Sequence, residues 1–197
     1  MTRWQLPVFE EIKAHLDPLA TSGRAVQGIG LDARIFDCRP ESHAPPDDSM
    51  IREAYEALRQ RAVADGRLGA GAPLIKRWKL VADIYSPRLR RFIEVDERQH
   101  FSRARLIRLV ANRRAMWSSL YPAHFWDKVL PCLIERPRRD LDPPHRDEQR
   151  AYRDEMRERL PVLYGLRRTI RLDEFTLGAI GLEHVSGVVA QLTKEKP

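Results

Sequence analysis

Residues 80–101, LVADIYSPRLRRFIEVDERQHF, decide how this chain folds. Two apolar runs, ending at Tyr85 and beginning near Phe92, flank Ser86-Pro87-Arg88-Leu89, where Pro87 sits in a favoured turn position. The pattern predicts a hairpin with strands over about 74–85 and 90–97. Carboxylates intrude on both strands. Side chains alternate across a strand, so Lys79, Val81, Asp83 and Tyr85 share one face, and Phe92, Glu94 and Asp96 share one face of the next strand. With 87–90 as the loop, Ser86 pairs with Arg91, Tyr85 with Phe92, and Asp83 falls opposite Glu94. Opposing Cβ atoms in such pairs lie about 4.5–5.5 Å apart. Carboxylates that close repel each other, and Asp96 adds a third on the same side.

Three devices relieve such crowding: a bound divalent metal, a nearby guanidinium or ammonium, or a shared proton. Oxygen-only ligation suits magnesium or manganese. Lys79, two pairs along, could neutralise or activate. His100, just past the strand, could carry a proton near neutral pH, and Gln99 could orient a water or a phosphate. A plain Asp–Arg or Glu–Arg pair at the strand edge answers the same problem with no metal. A one-residue slip in register would also dissolve the cluster.

The rest of the chain bounds the reading. Its 197 residues, 43% of them hydrophobic, suit a single domain over 1–197 with a real core. No run of 18 apolar residues occurs, so no membrane span is expected. The N-terminal stretch carries Glu10 and Glu11 and lacks a cleavage pattern, so it does not read as a signal peptide, and a cytoplasmic location is expected. Net charge is +7, and most of the basic residues are arginine. A basic, arginine-rich surface suits nucleic acid, because the planar guanidinium grips two phosphate oxygens at once. Cys38 and Cys132 stand far apart without a CxxC pattern, which argues against structural zinc.

Outward from the hairpin, Leu6, Phe9, Ile12 and Leu16 fall at helical spacing over 6–20. Residues 24–36 look extended. A helix is expected from Asp48 or Ser49 to about Asp65, with Met50, Ala54, Leu58 and Ala62 on one side and Gly66 behind its end. Another is expected over 102–121, capped by Ser102, with Leu106, Leu109 and Val110 on its apolar stripe and Arg105 and Arg108 on the opposite side. Residues 122–135 are aromatic and apolar, with Phe125 and Trp126 near Trp117; 136–144 is a basic loop. A charged helix over 146–160 leads to a return strand over 167–175, and the C-terminal LGAIGLEHVSGVVAQL reads as helical. The order predicts a mixed α/β domain, one sheet flanked by helices.

LVADIYSPRLRRFIEVDERQHF resembles the core of the PD-(D/E)XK restriction-endonuclease-like superfamily, in the branch related to very-short-patch repair endonucleases. That branch carries an aspartate on one strand and E-x-D-G-x-Q-H on the next, matched here by Asp83, Glu94, Asp96, Gln99 and His100. Glu97 stands where that pattern has glycine, and Asp96 where the wider signature has lysine. GLRRTIRLDEF (165–175) resembles the family's later strand, and Glu53 and Glu56 lie on the helix matching its first. The resemblance spans about 50–175, with an insertion over about 122–145 and added N- and C-terminal helices. It implies a restriction-endonuclease-like mixed sheet and a Mg2+- or Mn2+-dependent deoxyribonuclease, an endonuclease or nickase, or a relative that binds nucleic acid or a repair or defence complex without cutting. By the same resemblance, Asp83, Glu94 and Asp96 would hold the metal, and His100 or Asp96 would assist proton transfer. Arg98, Arg103, Arg105 and Arg108 would hold the DNA backbone through phosphate contacts. Arginines on such a helix can equally form salt bridges with its neighbours' acids.

Overall fold

A computed structural model describes residues 4–111 and 144–192. The chain divides into two compact units: Met1–Phe36, Val81–Glu97 and Leu160–Pro197 form the first, Asp37–Leu80 and Arg98–Arg159 the second.

The first unit holds a four-stranded mixed sheet in the order β1 (Thr21–Ser22), β2 (Ile84–Ser86), β3 (Arg91–Asp96) and β4 (Ile170–Asp173). β1 and β3 each run antiparallel to β2, and β4 runs parallel to β3. The hairpin register is the one the sequence predicts: Tyr85 pairs with Phe92 and Ser86 with Arg91. β3 is buried on both faces. Ile93 and Val95, with Ile84, Ile170 and Leu172, pack with Val8 and Ile12 of helix α1 (Gln5–His15), Leu177 of α5 (Glu174–Ile180), and Val185 and Val189 of α6 (Val185–Leu192). On the other face, Phe92 stacks on Phe36 and meets Tyr85 edge-on, each at 5.9 Å.

Asp17 anchors the hairpin turn. Its Oδ2 accepts from Ser86 Oγ at 2.5 Å and Arg88 N at 2.9 Å, so this buried carboxylate is satisfied by the turn it holds. The C-terminal segment is helical, as the sequence predicts, but divides at Gly181. A φ of 81° there favours glycine and interrupts the helical run. Residues 24–36, expected to be extended, instead form 3₁₀ turns at Gly23–Gly28 and Ala33–Phe36. Gly30 adopts a φ of 75°, and Asp32 Oδ1 accepts from Arg34 N at 2.9 Å. Such local side-chain bonds offer the backbone an alternative to a strand ladder.

The second unit contains α2 (Asp47–Ala64), α3 (Arg103–Ala111) and α4 as far as Arg159; α4 spans Arg146–Leu163. α2 begins one residue earlier than expected, after Pro46, without a side-chain cap, and Ser49 Oγ donates to Pro46 O instead. Its buried side is Ile51, Ala54, Leu58 and Ala62, with Met50 only half-buried. Tyr55 lies 5.3 Å from the Trp78 ring and 5.5 Å from the Tyr152 ring.

Residues 74–83, predicted to extend β2, are not strand. Leu74, Ile75 and Leu80 are buried, but the segment's backbone bonds run elsewhere: Leu74 N donates to Tyr55 Oη, Gln149 Nε2 to Leu74 O, and Cys38 N to Trp78 O. The apolar alternation records burial here, not a sheet. Ser102 caps α3 as predicted, its Oγ accepting from Arg105 N at 3.2 Å. Residues 112–143, including Trp117, Phe125, Trp126 and nearly all of the expected insertion, lie outside the described residues. No helix among the described residues is long and apolar enough to cross a membrane.

Candidate functional site

Asp83 directly precedes β2, and continuing the hairpin register by one pair sets it opposite Glu94. The two residues are cross-linked through each other's strands. Asp83 N donates to Glu94 Oε1 at 3.1 Å, and Val95 N donates to Asp83 Oδ2 at 2.9 Å. Gln5 Nε2, from the first turn of α1, donates to Asp83 Oδ1 at 2.7 Å. Both oxygens of Asp83 are thus held by neutral N–H groups. Glu94 is 1% exposed, and an ionised carboxylate at that depth needs compensating bonds.

Asp96 lies on the same face, equally buried, beside β4. Arg171 reaches it with both arms of its guanidinium, Nε to Oδ2 at 2.7 Å and Nη2 to Oδ1 at 2.6 Å. This is the bidentate geometry that arginine favours with a carboxylate. The parallel register explains it, since Arg171 pairs with Glu94 and so shares the face of Glu94 and Asp96. The fourth acid on this face, Asp173, caps α5, accepting from Phe175 N, Thr176 N and Thr176 Oγ1.

The other predicted site residues belong to the second unit. His100 ends a 3₁₀ turn, Arg98–His100, and its Nδ1 lies 3.0 and 3.1 Å from the two oxygens of Asp154. Asp154 also accepts from Arg157 Nη1 at 2.9 Å. An imidazole and a carboxylate side by side serve either proton transfer or metal ligation. Gln99 holds Arg150, its backbone O accepting at 2.6 Å and its Oε1 at 3.1 Å. Lys79 stands in an isolated bridge with Asp37, outside any strand, and is exposed. The sheet position that sequence alternation assigned it does not exist.

Of the four arginines expected to meet phosphate, Arg98 and Arg103 are exposed. Arg105 and Arg108 are not: they are 2% and 4% exposed, on the buried side of α3 with Phe101, Ala104 and Leu109. Arg105 binds Glu158. Arg108 grips Glu155 with Nε and Nη2 at 2.8 and 3.0 Å. Burial works against the charge of Arg108, but Glu155, bonded to it, outweighs that and raises its pKa. The expectation that these two side chains project away from the core is corrected by the acids of α4.

Sequence reasoning missed Gln5, Asp154 and Arg171 as partners. The parallel pairing of 167–175 with β3 would have predicted Arg171; nothing local marks Gln5 or Asp154. Comparison with protein-family models, curated proteins and solved structures finds no match to this chain.

Proposed function

We propose that this chain is a divalent-metal-dependent endonuclease or nickase acting on DNA in the cytoplasm, on a restriction-endonuclease-like sheet. One observation carries the reading: Asp83 stands opposite Glu94 in register, with its carboxylate held by neutral N–H donors. A carboxylate oxygen that accepts one N–H keeps a second lone pair. Hard oxygen donors from two adjoining segments fit Mg2+ or Mn2+. Asp83 and Glu94 would hold the ion, and Asp96 would join them to the extent that Arg171 shares its oxygens. A bound ion of this kind polarises a phosphate and lowers the pKa of a coordinated water.

The chain's own groups supply the rest. Gln5 and the Val95 amide fix the direction of the Asp83 carboxylate, and Arg171 offsets negative charge on the sheet face. His100, whose Nδ1 lies 3.0 Å from an Asp154 oxygen within the second unit, is the candidate proton carrier that the family resemblance implies. Arg98 and Arg103 are candidate contacts to the DNA backbone. A second reading, a module of the same fold that binds nucleic acid or a repair or defence complex without cutting, is favoured by Asp96. It occupies the signature's lysine position and is tied to Arg171.

Supercoiled plasmid with Mg2+ or Mn2+ separates the two. The nuclease reading expects nicked or linear product from the native protein and none from Asp83→Ala or Glu94→Ala. It also expects Mn2+ binding, followed by electron paramagnetic resonance, to be lost in both variants. Equal cleavage by all three proteins, or Mn2+ binding unchanged by both substitutions, overturns it.

A further inference from the structure

The acids of β3 are not the only concentration of charge on the sheet. At its opposite end the chain collects arginines: Arg88 and Arg90 in the hairpin turn, Arg91 opening β3, and Arg167 and Arg168 leading into β4. The parallel register of β3 and β4, continued back two residues, sets Arg91 beside Arg168. The side chains of Arg88, Arg90 and Arg91 bond to backbone carbonyls. Arg88 Nη1 donates to Leu16 O at 2.9 Å, Arg90 Nη2 to Gly165 O at 2.8 Å, and Arg91 Nη1 to Arg168 O at 3.4 Å. Arg167 N donates to Arg90 O at 2.9 Å, which ties the two arginine segments together.

The arrangement is held at some expense to the fold. Arg90 has a φ of 53°, a left-handed conformation uncommon for any residue but glycine. Arg91 Nε is buried without an acceptor, although a guanidinium carries five donors. Burial, and then the charges of Arg167 and Arg168, lower the pKa of Arg91, so the neighbours repel instead of compensating. No ion pair involves Arg88, Arg90, Arg91 or Arg167 among the described residues. Like charges gathered at the cost of an unmet donor mark a surface built for an anion that is not part of the chain.

We propose that Arg88, Arg90, Arg91, Arg167 and Arg168 form a docking surface for the phosphate backbone of a nucleic acid. The surface contacts successive phosphates and reads no sequence. Arg91 lies three residues before Glu94 on β3, about 10 Å along the strand at 3.3 Å per residue, and on the opposite face of the sheet. The inference deepens the nuclease reading and rests on it for the choice of polyanion, but it requires no cleavage.

The test is binding of a fluorescent DNA duplex by the full chain over about 0.05–0.3 M salt, the range in which phosphate contacts weaken binding most visibly. The double variant Arg91→Gln/Arg167→Gln is expected to flatten the slope of log affinity against log salt by about 2, and to weaken binding at 0.1 M by about eightfold per arginine. Arg167→Glu, at an exposed position, is expected to weaken binding at least as much as one lost contact. It keeps the test open if the double variant does not fold. An unchanged slope in these variants overturns the proposal, as does preferential binding to phosphatidylserine vesicles over DNA. Asp83→Asn separates the two ideas. Salt-dependent binding through the arginines with no metal-dependent cutting by the native protein sinks the nuclease reading and leaves the docking surface standing.

Discussion

Replacing Arg171 by methionine removes the guanidinium from a pair in which both side chains are almost fully buried, at 1% and 2% exposure. Two short bonds vanish, and Asp96 is left as a carboxylate in the sheet core. Breaking one side of such a pair costs about 3–5 kcal/mol, because the remaining charge keeps its desolvation penalty. For a chain of this length each kcal/mol corresponds to about 2–4 °C, so the melting temperature is expected to drop by about 6–20 °C. Asp96→Leu should cost a similar amount. The double variant Asp96→Leu/Arg171→Met should cost no more than either single one, since it strands no charge. Urea unfolding followed by circular dichroism, analysed as a double-mutant cycle, measures the coupling. Losses below about 1 kcal/mol for Arg171→Met, or a double variant whose loss equals the sum of the singles, would refute the assignment of Asp96 as a buried anion held by Arg171.

Four further outcomes follow from other sites. Asp37 in the second unit would be pushed up by burial, but the Arg39 side chain and backbone N–H, with Ser42 Oγ, hold its carboxyl down at about 2. Its folded pKa lies below the usual carboxylate value near about 4; its contribution is therefore full above that pH and lost as pH falls toward about 2. Discounted for the exposed Arg39, this amounts to about 1 kcal/mol, and Asp37→Asn should flatten urea midpoints over that window. Cys38 is buried, and burial pushes its thiol up to about 12, so mass mapping after iodoacetamide at pH 8 should find it labelled only in unfolded protein. Arg108→Gln leaves Glu155 with Arg159 as its cation and should destabilise by about 1.5–3 kcal/mol while leaving the salt slope of DNA binding unchanged, the reverse of Arg103→Gln. Gln5→Ala, which frees one oxygen of Asp83, should weaken Mn2+ binding by about tenfold in a calorimetric titration.

The hairpin was legible because two independent signals agreed: Pro87 marked the turn, and alternation assigned the faces. Together they placed Asp83 against Glu94 before any coordinates. The mixed α/β class and the Ser102 cap were legible for equally local reasons. What escaped depends on partners distant in the chain. A helical stripe of Leu106, Leu109 and Val110 made Arg105 and Arg108 look outward-facing, because hydropathy cannot anticipate that Glu155 and Glu158 on α4 would admit guanidiniums to the buried side. Leu74 and Ile75 mimicked a strand because burial alone produces apolar runs. Arg171 was foreseeable only in kind, as some arginine beside a crowded acid. The choice among many depended on a parallel pairing that no turn announces.

The first unit draws on three separated stretches of chain, and its central strand has partners of very different arrival times. β2 reaches β3 through a four-residue turn, whereas β4 arrives only at Ile170. As the polypeptide leaves the ribosome, one flank of β3 therefore waits unpaired while the later stretch of the second unit, Arg98–Arg159, is made. An open strand edge is a template for association between chains. Glu94 and Asp96 make that edge repel its own copies during the wait, and Arg171 arrives with β4 to neutralise Asp96 when the edge closes.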